Sequence, residues 1–173
     1  MSVKKFNEEL EDYFRNAKPK TIKDHAELLA PIYDKWAKSI TTKEGNFLVK
    51  GNIDGFKKGI MLLDAPGNTG PLVGIAYEQA CIFYWTQPAF STNKPAAGLV
   101  KTALIVSTPH LPGPVSAALA AAVFNPSPDP KVKAGLYASG FISGASTVMT
   151  TASGPSIATG NPLSVGPDPV VIS

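Results

Sequence analysis

A chain of 173 residues is long enough for one domain with a core, or for a small domain carrying an extended arm. Its 16 basic and 13 acidic residues leave a net charge of +3, but Lys4, Lys5 and Arg15 stand among Glu8, Glu9, Glu11 and Asp12. That mixed, solvated surface is not a phosphate-binding stripe, so no specific nucleic-acid binding is expected, and the single Cys81 excludes an internal disulfide.

From the start of the chain, Val3, Phe6, Leu10, Tyr13, Phe14 and Ala17 recur at steps of three and four and predict an amphipathic helix that Pro19 ends. Met1 to Ala17 is charged throughout, so no signal peptide is expected. Thr21 and Asp24 then offer a variant capping box, because their oxygens can satisfy free amide donors of a new helix. Ile22, Ala26, Leu29, Tyr33, Trp36, Ala37 and Ile40 continue it, with a kink or split expected at Pro31. After a loop with a short extended piece at Phe47 and Val49, Ile53, Phe56, Ile60 and Leu63 mark a third helix. Turn-forming residues from Asp64 to Pro71 lead into Leu72 to Trp85, nearly all apolar with Glu78 its one charge. A helix apolar on every side predicts the central element of a small bundle.

Beyond Pro88 the composition changes. Residues 88–173 hold six of the 29 charged residues and 12 of the 16 prolines. Ala97 to Ser107 is a helix or a buried strand, a choice that periodicity does not make for so short a run. Pro114 suits the first position of an Ala-rich helix ending at Phe124. Lys131 to Thr150 predicts another helix, in which Gly135, Ser139, Ser143 and Thr147 recur every fourth residue beside Gly140 and Gly144. Small residues at that spacing let helix backbones approach closely. Gly154 to Ser173 is rich in Gly, Pro and Ser around Val170, Val171 and Ile172, an arm that cannot build its own core and is either disordered or laid along a neighbour, where it can add a strand. The expected fold is mainly α: a helical bundle over 1–88, a charge-poor helical and irregular region over 89–153, and an extended arm over 154–173. The interface residues expected are Gly135, Ser139, Gly140, Ser143, Gly144, Val170, Val171 and Ile172.

No catalytic, cofactor or metal constellation emerges. Gly67-Asn-Thr-Gly70 lacks the lysine and hydroxyl of a phosphate loop and reads as a turn. Glu78 is a candidate proton-transfer carboxylate, weighed against a carboxylate paired with lysine or facing a seam between subunits. Gln79 reads as an interface amide. His25, on a helix surface, and His110, in a proline-rich loop, have no histidine or cysteine at ligand spacing. Cys81 reads as a small buried hydrophobe. The aromatic set Tyr33, Trp36, Tyr77, Tyr84 and Trp85 reads as core rather than as a ligand cleft.

A half-chain with almost no charge needs its surface covered, and copies of itself or other assembly proteins are the expected cover. The charged helical start (Met1 to Ile40), the apolar middle (Leu72 to Val106) and the arm ending Asn161-Pro-Leu-Ser-Val-Gly-Pro-Asp-Pro169 resemble, in style of sequence, a minor structural protein of a tailed bacteriophage virion, from the tail, neck or baseplate. The resemblance implies a non-enzymatic role in docking and symmetry matching, folding in the host cytoplasm and residence in the virion. No motif is shared residue by residue, so no site residue is carried over. Two other readings stay open. One is a membrane-associated protein with short hairpins over 72–86, 96–107, 114–124 and 134–150, against which no apolar run reaches the roughly 20 residues of a spanning helix. The other is a small enzyme with a site around Asp64, Asn68, Thr69 and Glu78.

Overall fold

A computed structural model describes residues 1–42, 47–65, 71–86, 89–90, 103–108, 112–124, 128–155 and 162–172. The fold is mainly α. Helix α1 (Val3–Asn16) starts at Ser2, whose side chain accepts from the Lys5 amide at 3.3 Å, and buries Phe6, Leu10 and Tyr13. Helix α2 (Ile22–Ala37) opens with the expected capping box: the Asp24 amide donates to Thr21 Oγ1 at 3.0 Å, and Asp24 Oδ2 accepts from the Thr21 amide at 3.1 Å. The helix continues through Pro31 without splitting. Pro31 stands on the exposed side, where water can take the bond that the Glu27 carbonyl gives up.

Helix α3 (Ile53–Met61) is capped by Asn52, which accepts from the Gly55 amide at 2.8 Å, and tightens into a 3-10 turn at Leu62–Asp64. Helix α4 (Pro71–Tyr84) lies against it so closely that a Cβ on Gly59 would sit 2.2 Å from Ala80 Cα. Only glycine permits that approach. Helix α5 (Pro114–Phe124) has Pro114 at its first position, as expected, and follows Gly113, whose φ of 120° belongs to glycine. Helix α6 (Pro130–Ala145) is capped by Asp129, whose carboxylate accepts from the Lys131 amide at 2.9 Å. The helix expected to run to Thr150 therefore stops at Ala145, because a strand claims the residues from Met149 onward.

The strands are short or late in the chain. They are β1 (Thr41–Thr42), β2 (Leu48–Lys50), β3 (Ala89–Phe90), β4 (Ala103–Thr108), β5 (Met149–Pro155) and β6 (Pro162–Val171). Four of them form an antiparallel sheet in the order β1-β6-β5-β4, and β2 pairs with β3. The ambiguous run before Ser107 is thus a strand from Ala103, and its earlier part lies outside the described residues. The described parts of the arm, residues 154–155 and 162–171, are extended, and they pair inside their own chain: Thr41 faces Val171 and Thr42 faces Val170.

One aromatic core crosses the boundary expected at residue 88. Phe6 stacks on Trp36 with ring centroids 4.4 Å apart, and Tyr33 stacks on Phe56 at 4.4 Å. Phe141, from α6, stands edge-on to Tyr33 at 5.1 Å and reaches Phe6, Phe56 and Tyr77. Each large side chain so buried contributes about 1.5–3 kcal/mol. Two polar groups of the core are paired: Trp85 Nε1 donates to Tyr33 at 2.9 Å, and Tyr84 donates to Asp34 at 2.8 Å. Cys81 is wholly buried and its thiol is pushed up by desolvation, so it is an inert packing residue.

Candidate functional site

The small-residue helix α6 has two sides. Gly140 and Gly144 are buried, and a Cβ on Gly140 would meet Ala118 Cβ of α5 at 3.3 Å. Gly140 thus lets α6 settle on a helix of the same chain. Gly135, Ser139 and Ser143 face outward, in line with the exposed Val132. Val171, paired with Thr41 of β1, is exposed, and Ile172 packs partly against the core. Of the expected interface residues, Gly135, Ser139, Ser143 and Val171 are thus exposed, Ile172 is half-buried, and Gly140 and Gly144 are buried.

Helix α4 supplies a patch that the sequence reading missed. Packed between α3 and α5, it leaves a third side uncovered, where Leu72 and Ile75 are 47% and 48% exposed and Phe83 is also in water. Met61, at the end of α3, and Leu62, in the 3-10 turn after it, are exposed as well, with Met61 on the cleft that His25 and Tyr77 line. The helix is central in sequence character but not enclosed on all sides. The clue lay in its composition: an all-apolar helix needs cover all round, and two flanking helices cover two sides.

Glu78, the one charge of α4, is 3% exposed and accepts from the Ser116 amide at 2.9 Å. Ser116 is the third residue of α5, so the carboxylate answers a free amide and the positive end of that helix. This is a structural role reaching across two helices. Asp64 lines a cleft elsewhere on the surface; Asn68, Thr69 and His110 lie outside the described residues. The structure thus does not gather Asp64 and Glu78 into one site.

His25 is not on the surface where α2 was expected to place it. It is half-buried, with Tyr13 bonded to Nδ1 and Tyr77 at 2.6 Å from Nε2. Its position three residues after Ile22 and four before Leu29 puts it beside the apolar stripe, a signal legible in the sequence. A cleft of about 660 Å³ opens on His25 and Tyr77, rimmed by Lys20, Lys23, Leu63 and Asp64. Burial holds the imidazole below its ordinary range and pushes Tyr13 up to about 12, so at neutral pH both are uncharged.

No protein-family model matches the chain, and no curated protein and no solved structure matches it. Among the described residues no helix is long and apolar enough to cross a membrane.

Proposed function

We propose that the protein is a structural subunit of a large assembly of its own copies or of several proteins, acting by docking rather than by catalysis. The observation that carries this reading is the uncovered apolar side of α4, where Leu72, Ile75 and Phe83 are exposed. Large apolar side chains exposed together on one side of a helix are the mark of an interaction site. The charge-poor second half supports the same reading, since the outward residues of α6 from Val132 to Ser146 include no charge. Residence in a phage virion, as a tail, neck or baseplate component, rests on the style of the sequence. The partner expected on the α4 face is a second copy of the chain.

The test is light scattering of the full-length protein beside the double variant Leu72→Glu, Ile75→Glu. The wild type should form a species of many subunits, and the variant a small one with unchanged helical circular dichroism. A monodisperse wild-type monomer across the accessible concentration range sinks the proposal. So does a variant that assembles as well as the wild type.

A further inference from the structure

The open side of α4 is a single line of residues. Leu72, Ile75, Gln79, Ile82 and Phe83 are exposed or half-buried, and Thr86, just past the helix, is exposed. Val73 is the one other residue from Leu72 to Tyr84 that is not fully buried, and it packs against the core. Steps of three and four residues keep a line on one side of a helix, as in the seam that joins one helix to another. The remaining sides are occupied. Ala80 meets Gly59 of α3, Gly74 and Glu78 meet Ser116 of α5, and Tyr77, Cys81 and Tyr84 enter the core. Thr86 stays on the line because its amide donates to the Phe83 carbonyl at 3.2 Å and its hydroxyl to the Ile82 carbonyl at 2.9 Å.

Gln79 stands at the middle of this line, seven residues from Leu72 and from Thr86, four from Ile75 and from Phe83. The line holds no charge, since the one carboxylate of α4, Glu78, is buried against α5. The Thr86 hydroxyl is satisfied within its own helix, and among the described residues nothing bonds to the Gln79 amide. A two-fold axis brings each residue against the one at the mirrored distance from the centre, and brings the central residue against itself. A lysine or glutamate there would repel its copy. A glutamine amide has both a carbonyl and an NH₂ group, so it donates to and accepts from its own kind. One polar residue in an otherwise apolar seam also fixes the register, because sliding would set it against carbon. Parallel copies would align the two helix dipoles and stack Phe83 on Phe83 at one end. Antiparallel copies oppose the dipoles and set Ile75 on Phe83 and Leu72 on Thr86, sharing the bulk between the ends.

We propose that two copies of the chain pair through α4, antiparallel, about a two-fold axis at Gln79. The pairing rests on the reading of this side of α4 as a docking surface, and it names what docks there: the same side of a second copy. A contact of this symmetry closes on itself, so any larger assembly grows from such pairs through a different surface.

The test is disulfide crosslinking of the full chain, with copper phenanthroline and air as the oxidant and denaturing gels as the readout. Cys81 is buried, so the wild type is the blank. Gln79→Cys should give covalent dimers by itself. Position 72 or 86 lies about 10 Å from the axis at about 1.5 Å per residue, which sets two identical cysteines about 20 Å apart. A disulfide spans Cα atoms no more than about 7 Å apart. Leu72→Cys and Thr86→Cys should therefore stay monomeric on the gel when made alone, and crosslink when the two variants are expressed together. A charge swap reads the same axis without oxidant. Gln79→Lys and Gln79→Glu, each with unchanged circular dichroism, should each pair about tenfold more weakly in sedimentation, and pairing should return when they are expressed together. Dimers from Leu72→Cys alone would mean parallel copies and overturn the arrangement. Large particles in which Gln79→Cys does not crosslink would overturn the two-fold and leave the docking role standing. Gln79→Cys crosslinks in a protein that never exceeds a dimer would uphold the two-fold and remove the large assembly.

Discussion

Helices α1 and α2 and helices α4 to α6 share one core but present opposite surfaces. On the first pair, ion pairs cross the outside: Lys35 with Glu9 between the two helices, Arg15 with Glu11 along α1, and Lys38 with Asp34 at 2.7 Å. On the second set, the outward positions of α4 and α6 carry Leu72, Ile75, Phe83, Val132 and small residues. Charge asymmetry in this chain is a property of its surface and not a division of its interior. Phe141 makes the point, since it comes from the charge-poor half and stands among Phe6, Tyr33 and Phe56 of the charged half.

The comparison breaks most severely if the halves are separated. A chain ending at residue 88 lacks α5 and α6, so Phe6, Tyr33 and Phe56 lose the cover of Phe141. It should show no cooperative thermal transition by circular dichroism, whereas a sharp transition would mean that the first half folds by itself. A smaller loss comes from Phe141→Ala in the full chain, which should cost about 3–5 kcal/mol in urea unfolding as the central cavity opens. Smaller again is Gly59→Ala, where the new methyl meets the α4 backbone at Ala80 and forces the helices apart. A loss of about 1–3 kcal/mol is expected by the same measurement. The smallest effect belongs to the charged surface. Lys35→Ala removes a bridge whose lysine is 59% exposed, and should cost less than about 1 kcal/mol, vanishing in high salt.

The contrast also explains what the sequence reveals and what it hides. Helices α1 and α2 are readable because their apolar residues fall on one stripe and their first residues carry caps. Thr21 and Asp24 form the box that their spacing announces. Helix α6 offers no such stripe. With apolar and small residues on all sides, its period does not say that Phe141 and Gly140 turn inward while Ser139 turns outward. The sheet is hidden for another reason. Strands β5 and β6 pair residues rich in Gly, Ser, Thr and Pro, with no alternation of apolar and polar positions to set a register. Pairing of β6 with β1 joins segments that no local window contains. Of the candidate sites, the exposed side of α4 follows from its all-round apolar character once its neighbours are known, and His25 from its place beside the stripe of α2.

The pairing of Thr41 and Thr42 with Val171 and Val170 has a consequence for how the molecule is made. A ribosome releases the threonines long before it has polymerised the valines. Until the late residues emerge, the nascent chain presents an unpaired edge at β1 and a Phe6–Trp36–Tyr33 cluster without Phe141. Contacts so distant in sequence are slow to form and expose sticky surface meanwhile. Completion of this sheet therefore waits until residues some 130 positions later have emerged.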